Sequence, residues 1–144
     1  MNTRQFTISI LREARADENR APFTPDQIKI LITKFPNIKI LVQPSKKRCF
    51  KDEEYYKAGA KLDEDITNSN IIFGIKEIDI SKIIEGKTYL FFSHTSKVPN
   101  NNFQNPQDSA IIYKKNLLRE ILKKNVTLID YENIRDKSKE AYRY

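Results

Sequence analysis

Glycine occurs only three times in these 144 residues, at Gly59, Gly74 and Gly86. That leaves no room for a GxGxxG fingerprint or a GxxxxGK[ST] loop, so the chain carries no recognisable cradle for a nucleotide phosphate. Cysteine is equally sparse. Cys49 is alone, so no internal disulfide can form, and no neighbouring Cys or His completes a zinc site; a reducing, cytoplasmic setting is expected. No metal is expected, because the single histidine, His94, cannot build a site by itself. Long apolar runs are also missing. The first twenty residues hold Glu13, Asp17 and Glu18 and nothing more hydrophobic than Phe6 to Leu11, which speaks against a signal or transit peptide, and no stretch reaches the length of a membrane span. Charge is plentiful but not segregated. Lys and Arg exceed Asp and Glu by 26 to 19, a net +7, yet no block of five like charges occurs, so the balance suits anionic ligands while arguing against a nucleic-acid partner.

What remains is a folded single domain, with 39% hydrophobic residues spread in clusters along the chain. Five short β-branched or aromatic runs read as strands: Phe6 to Leu11, Lys39 to Val42, Ile71 to Ile75, Thr88 to Phe92 and Val126 to Ile129. Most are apolar at consecutive positions, as strands covered on both faces must be. Helices fit between them. Thr24 can cap a helix that opens with Pro25 and buries Ile28, Leu31 and Ile32. A second runs from Asp52 to Ala58 and stops at Gly59; a third runs from Ser109 to Lys124, with Ile112, Leu117, Leu118 and Ile121 as its inward stripe. The alternation predicts an α/β, flavodoxin-like three-layer sandwich with a mostly parallel sheet, whose binding residues gather at the carboxyl ends of the strands. Between Pro99 and Asp108, four Asn and two Pro mark a surface loop after the strand that leads to His94, a place where loops often cover ligands.

Three residues of chemical interest stand just downstream of predicted strands: Arg20, Lys76 and His94. Each has two readings. Lys76 emerges from an apolar run in which Gly74 leaves space for a ligand, or it simply ends a strand in solvent. His94, between Ser93 and Thr95, can serve as a general acid or base near neutral pH, or can be structural. Arg20 can grip a carboxylate with two parallel hydrogen bonds, or can be a surface arginine. The triplet Lys46, Lys47 and Arg48 reads as a solvated loop rather than a phosphate site.

Five blocks then carry a likeness: LREARADENRAPFTP from Leu11, QPSKKRCFKDEEYYKAGA from Gln43, GIKE from Gly74, TYLFFSHT from Thr88 and LIDYE from Leu128. In this order they resemble the amino-terminal, substrate-side domain of the alanine dehydrogenase and pyridine nucleotide transhydrogenase superfamily. FFSHT and the Gln43 block favour its saccharopine dehydrogenase (lysine-forming) and lysine–ketoglutarate reductase branch over alanine dehydrogenase. The resemblance implies a reversible joining of lysine and 2-oxoglutarate into saccharopine. Hydride passes to or from NAD or NADP, which this chain alone would not bind. It implies Lys76 and His94 as the acid–base pair, Arg20 as the grip on a substrate carboxylate, and Glu77 and Glu132 as acidic residues that tune the pair. It also implies residues 1–135 as the substrate-side domain and 136–144 as a tail or the start of a connection. A cofactor-binding domain, in the same chain or another, would complete the enzyme. An alanine dehydrogenase-like domain and a free-standing ligand-binding module without catalysis are the alternative readings.

Overall fold

The computed structural model describes residues 5–97 and 108–135. Its sheet has six strands in the order β3-β2-β1-β4-β5-β6: β1 (Phe6–Ile10), β2 (Ile38–Val42), β3 (Lys61–Leu62), β4 (Ile71–Phe73), β5 (Thr88–Phe91) and β6 (Thr127–Asp130). Every pairing is parallel, so the expected α/β sandwich is present, with a wholly parallel sheet. β4 is shorter than its apolar run. Its ladder nevertheless continues, because Gly74 donates to the Leu90 carbonyl at 2.9 Å and the Ile75 carbonyl accepts from Phe92 at 3.0 Å. The edge strand β3 adds to the five predicted. It pairs only Lys61 and Leu62 with Leu41 and Val42, too short a run to leave a periodic signal.

Helix α1 (Pro25–Lys34) spans the predicted segment for the predicted reason. The Thr24 hydroxyl accepts a hydrogen bond from the Gln27 backbone amide at 3.2 Å and the Gln27 side-chain carbonyl accepts one from the Thr24 backbone amide at 2.8 Å, a capping box that satisfies two otherwise orphaned donors on either side of Pro25. Helix α2 (Asp52–Lys57) is followed by Gly59 at φ 99°, a left-handed position that ends the helix as glycine permits. Helices α1 and α2 cover β1, β2 and β3 on one face, burying Ile10, Ile28, Ile40, Val42 and Tyr55.

Helix α3 (Ser109–Lys123) and residues 77–84 cover the other face, around Ile72, Tyr89, Phe91, Leu117 and Ile121. Each such fully buried side chain contributes about 1.5–3 kcal/mol. The inward stripe of α3 is rotated from the predicted one. Ile112 is exposed, and Tyr113 packs inward instead, its hydroxyl donating to the Ile78 carbonyl and accepting from the Ile78 amide, both at 2.9 Å. A buried tyrosine whose polar tip is doubly satisfied outcompetes an isoleucine for that place.

Arg48 also departs from the solvated loop expected of it. Its side chain is 3% exposed. The guanidinium donates to the carbonyls of Gln43 and Leu11 at 2.9 and 3.3 Å and to Asp52 at 3.2 Å, and lies over the Tyr55 ring. It thereby fastens the exits of β1 and β2 to the start of α2. The Asn-rich segment falls in 98–107, outside the described residues.

Candidate functional site

The strand order reverses between β1 and β4, with covering helices on opposite faces to either side, so a cleft opens at the carboxyl ends of these two strands. Glu13, just past β1, reaches across it. Its carboxylate accepts from the backbone amides of Ile75 and Lys76 at 2.7 and 3.0 Å. Burial pushes the Glu13 carboxyl up, and the two amide bonds oppose that shift. The backbone that presents Lys76 is therefore pinned to the neighbouring strand's exit. A Cβ at Gly74 would meet Leu11 at 3.4 Å, the Glu13 carboxylate at 3.6 Å and Phe91 at 3.7 Å, ordinary contact distances, so these side chains bound the space beside the glycine.

From that pinned backbone the Lys76 ammonium passes 5.8 Å above the centre of the Phe92 ring and comes 3.4 Å from Nε2 of His94. Nδ1 of His94 lies 2.7 Å from a carboxylate oxygen of Glu132. A carboxylate only accepts, so the neutral ring carries its proton on Nδ1 and turns the Nε2 lone pair toward Lys76. Phe92 stacks on the imidazole at 6.3 Å with planes 24° apart, and Tyr131 meets Phe92 edge-on. Burial pushes the Tyr131 hydroxyl well above the usual phenol range, which keeps it neutral beside the pair. His94 itself has φ 53°. That left-handed conformation costs a non-glycine residue about 1–2 kcal/mol and is sustained only by its surroundings.

Lys76, His94 and Glu132 are thus brought together as one row. Arg20 stands beside it without touching it. Its Nε and Nη2 form a two-pronged pair with the buried Glu18, 2.9 and 2.6 Å, and no described residue takes up its Nη1 edge. Arg20 holds the Glu18 carboxyl below the usual range, and the Lys76 charge adds to the effect, which sets Arg20, Glu18 and Lys76 in one electrostatic neighbourhood. A carboxyl lowered on folding adds stability above its unfolded value and loses it as the pH falls through the folded one. Glu18→Gln lacks this contribution, so its melting temperature should lie below the native one at neutral pH and the two should converge below pH 4.5. A constant gap down to strongly acid pH would remove the ion pair from consideration.

Glu77 is placed differently from expectation. The chain bends at Ile75 and Lys76, and Glu77 turns to Arg15 at 3.3 Å, away from the Lys76–His94 pair. It lines a groove of about 660 Å³ with Arg12, Glu64, Asp79 and Lys82. That groove lies on the α3 side of the same edge and includes neither Lys76 nor His94. Sequence reasoning gave no role to Glu13, Phe92 or Asp130. Only Glu13 had a signal, as a carboxylate directly after the first strand at the crossing point.

The fold and this row of side chains define a doubly wound α/β domain whose carboxyl edge presents an amine, an imidazole and carboxylates. The chain belongs to the family described as alanine dehydrogenase/PNT, N-terminal domain, whose pattern matches residues 9–143. It is 43% identical over 124 residues to the Mus musculus protein named alpha-aminoadipic semialdehyde synthase, mitochondrial, covering 86% of this chain and 12% of that one. The alpha-aminoadipic semialdehyde synthase of Arabidopsis thaliana is 34% identical over 121 residues, 81% of this chain and 10% of its own. This chain therefore spans about a tenth of these relatives. Its fold is shared with an L-alanine dehydrogenase (TM-score 0.72, 13% identity, 94% of this chain and 35% of that one). A transhydrogenase from Sinorhizobium meliloti is also similar (TM-score 0.68, 15% identity, 92% and 37%).

The family implies a nicotinamide cofactor, and these residues do not fit one. Residues 11–24 after β1 hold no glycine and form no helix, and the amides at the crossing point, where a pyrophosphate would seek donors, are taken by Glu13. Among the described residues, no group of three or more His, Cys, Asp or Glu is placed to hold a metal ion, and no helix is long and apolar enough to cross a membrane.

Proposed function

We propose that this is the substrate-binding and acid–base domain of an NAD(P)-dependent oxidoreductase acting on CH–NH bonds, of the lysine-forming saccharopine dehydrogenase and lysine–ketoglutarate reductase type. The observation that carries the reading is the row Lys76–His94–Glu132, 3.4 and 2.7 Å between neighbours, at the carboxyl edge beside the crossing point. The names of the 43% and 34% identical relatives support it.

Joining the lysine amine to the carbonyl carbon of 2-oxoglutarate forms a C–N bond and moves protons from nitrogen to the former carbonyl oxygen, which departs as water and leaves an imine. Lys76 and His94 supply two stations for those protons. A proton taken from the adding nitrogen at one station passes across their short gap and is delivered to the departing hydroxyl at the other. Glu132 fixes the ring's tautomer, so that Nε2 is the exchanging atom. Glu77 acts only at a distance, through its pair with Arg15. Arg20 offers its Nη1 edge to a substrate carboxylate while Glu18 holds the other edge in place. The dinucleotide and its hydride belong to a cofactor-binding domain elsewhere in the enzyme, since none of the described residues cradles a pyrophosphate.

The test is an assay of a polypeptide that carries this domain together with a dinucleotide-binding domain. Oxidation of NADH or NADPH should require lysine and 2-oxoglutarate together, and the 144-residue chain alone should give none. Oxidation with ammonia and pyruvate instead would replace the reading by an alanine dehydrogenase. Calorimetric binding of saccharopine to the chain, with no turnover by the larger polypeptide, would make it a binding module. Sustained turnover by the chain alone would overturn the separation of substrate and cofactor.

A further inference from the structure

We propose that Asp130 is a positioning residue that seats the His94 imidazole against Glu132, an inference that rests on the acid–base reading of this row. Asp130 ends β6, directly opposite Phe91 at the end of β5. Both of its carboxylate oxygens are used, and each holds a different strand exit. Oδ2 accepts from the Ser93 hydroxyl at 2.5 Å; Oδ1 accepts from the Glu132 amide at 2.9 Å. Ser93 immediately precedes His94 and is 1% exposed, and Asp130 is 7% exposed. One buried carboxylate therefore fixes the backbone on which the imidazole stands and the turn Tyr131–Asn133 on which its partner Glu132 stands.

The local geometry gives this link its importance. His94 is at φ 53°, a conformation its own backbone does not favour. With the Ser93 hydrogen committed to Asp130, the same Oγ accepts from the Thr95 hydroxyl at 2.9 Å and the Thr95 amide at 3.3 Å. The residues on both sides of His94 are thus tied to one atom, and that atom is tied to Asp130. Without the carboxylate, the Ser93 hydroxyl and the Glu132 amide lose a shared reference, and the 2.7 Å contact between Nδ1 and Glu132 loses what holds its two ends in register. Among the described contacts Asp130 touches neither Lys76 nor the imidazole, so it works through its neighbours, the Ser93 hydroxyl and the Glu132 amide.

His94 is the only histidine in the chain, so long-range ¹H–¹⁵N spectra of the ¹⁵N-labelled 144-residue protein report one imidazole without any partner domain. At a pH where the ring is neutral, the native protein should show the Nδ1–H form. Asp130→Ala and Ser93→Ala should move the ring nitrogens toward the Nε2–H form that free imidazole side chains prefer. Asp130→Asn should keep the native pattern, because its amide can both accept from the Glu132 amide and meet the Ser93 hydroxyl. Ser69→Ala serves as comparison. It removes half of the buried Ser9–Ser69 hydroxyl pair, and should lower stability while leaving the ring unchanged. If Asp130→Ala does not fold, Ser93→Ala decides. A folded Ser93→Ala or Asp130→Ala with the native tautomer overturns the positioning role and leaves the acid–base row intact. A native ring without the Nδ1–H form overturns the pairing with Glu132, and both readings with it.

Discussion

Replacing Lys76 by methionine in the two-domain polypeptide is expected to lower kcat/KM by about a hundred- to ten-thousand-fold, the usual scale for removing a positioned acid or base. Methionine keeps the length of the side chain and its passage over Phe92, so the wall of the cleft survives while the exchangeable proton does not. His94→Gln should fall in the same range, since glutamine can still reach Glu132 but cannot relay a proton. The double variant should be no slower than the worse single one. Groups that act as a unit, here 3.4 Å apart, lose their joint effect when either is removed. Steady-state kinetics of the three variants check this. Turnover within a few-fold of native in both single variants would leave the row without a catalytic role, and an additive double variant would break the relay into two independent groups.

The sequence made some of this architecture readable and concealed the rest for definable reasons. Strand cores were legible because a doubly covered strand must be apolar at consecutive positions, as ILV at the end of β2 and IIF in β4 are. Lys76 and His94 were legible because they are the first titratable groups after such runs. Contacts written in backbone atoms were not. Strand β3 is a two-residue ladder, and Glu13 acts on amides 62 and 63 positions away, so neither leaves a spacing in the chain. Glu77 was expected to tune the pair from the family resemblance alone, yet a bend at Ile75 and Lys76 turns it to Arg15 while Lys76 turns to His94. The stripe of α3 followed hydrophobicity alone and so missed that Tyr113 could bury its ring by bonding both backbone atoms of Ile78.

Arg48 shows the same limit with the largest consequence for stability. In KKRC it is one basic residue among three, and Lys46, two positions before it, is exposed, but the guanidinium is 3% exposed and bonded to two carbonyls and a carboxylate. Burial pulls its proton affinity down, and the charge of Asp52 acts the other way. Removing the guanidinium leaves the two carbonyls without their donor while Asp52, 28% exposed, turns to water, a loss of roughly 1–3 kcal/mol. Arg48→Met is therefore expected to lower the unfolding free energy by about that amount, against roughly 0.5 kcal/mol or less for Lys46→Met at the exposed position. Because the lost bonds hold the Leu11 and Gln43 carbonyls, the damage should appear first where β1 and β2 exit the sheet, two residues from Glu13. Amide exchange should then quicken at Ile75 and Lys76, whose donors Glu13 holds. Urea unfolding and hydrogen exchange read the two effects separately. An Arg48→Met protein as stable as Lys46→Met would mean that the guanidinium's burial contributes nothing to the fold. Loss of stability with unchanged exchange at Ile75 and Lys76 would detach the arginine from the site it is argued to support.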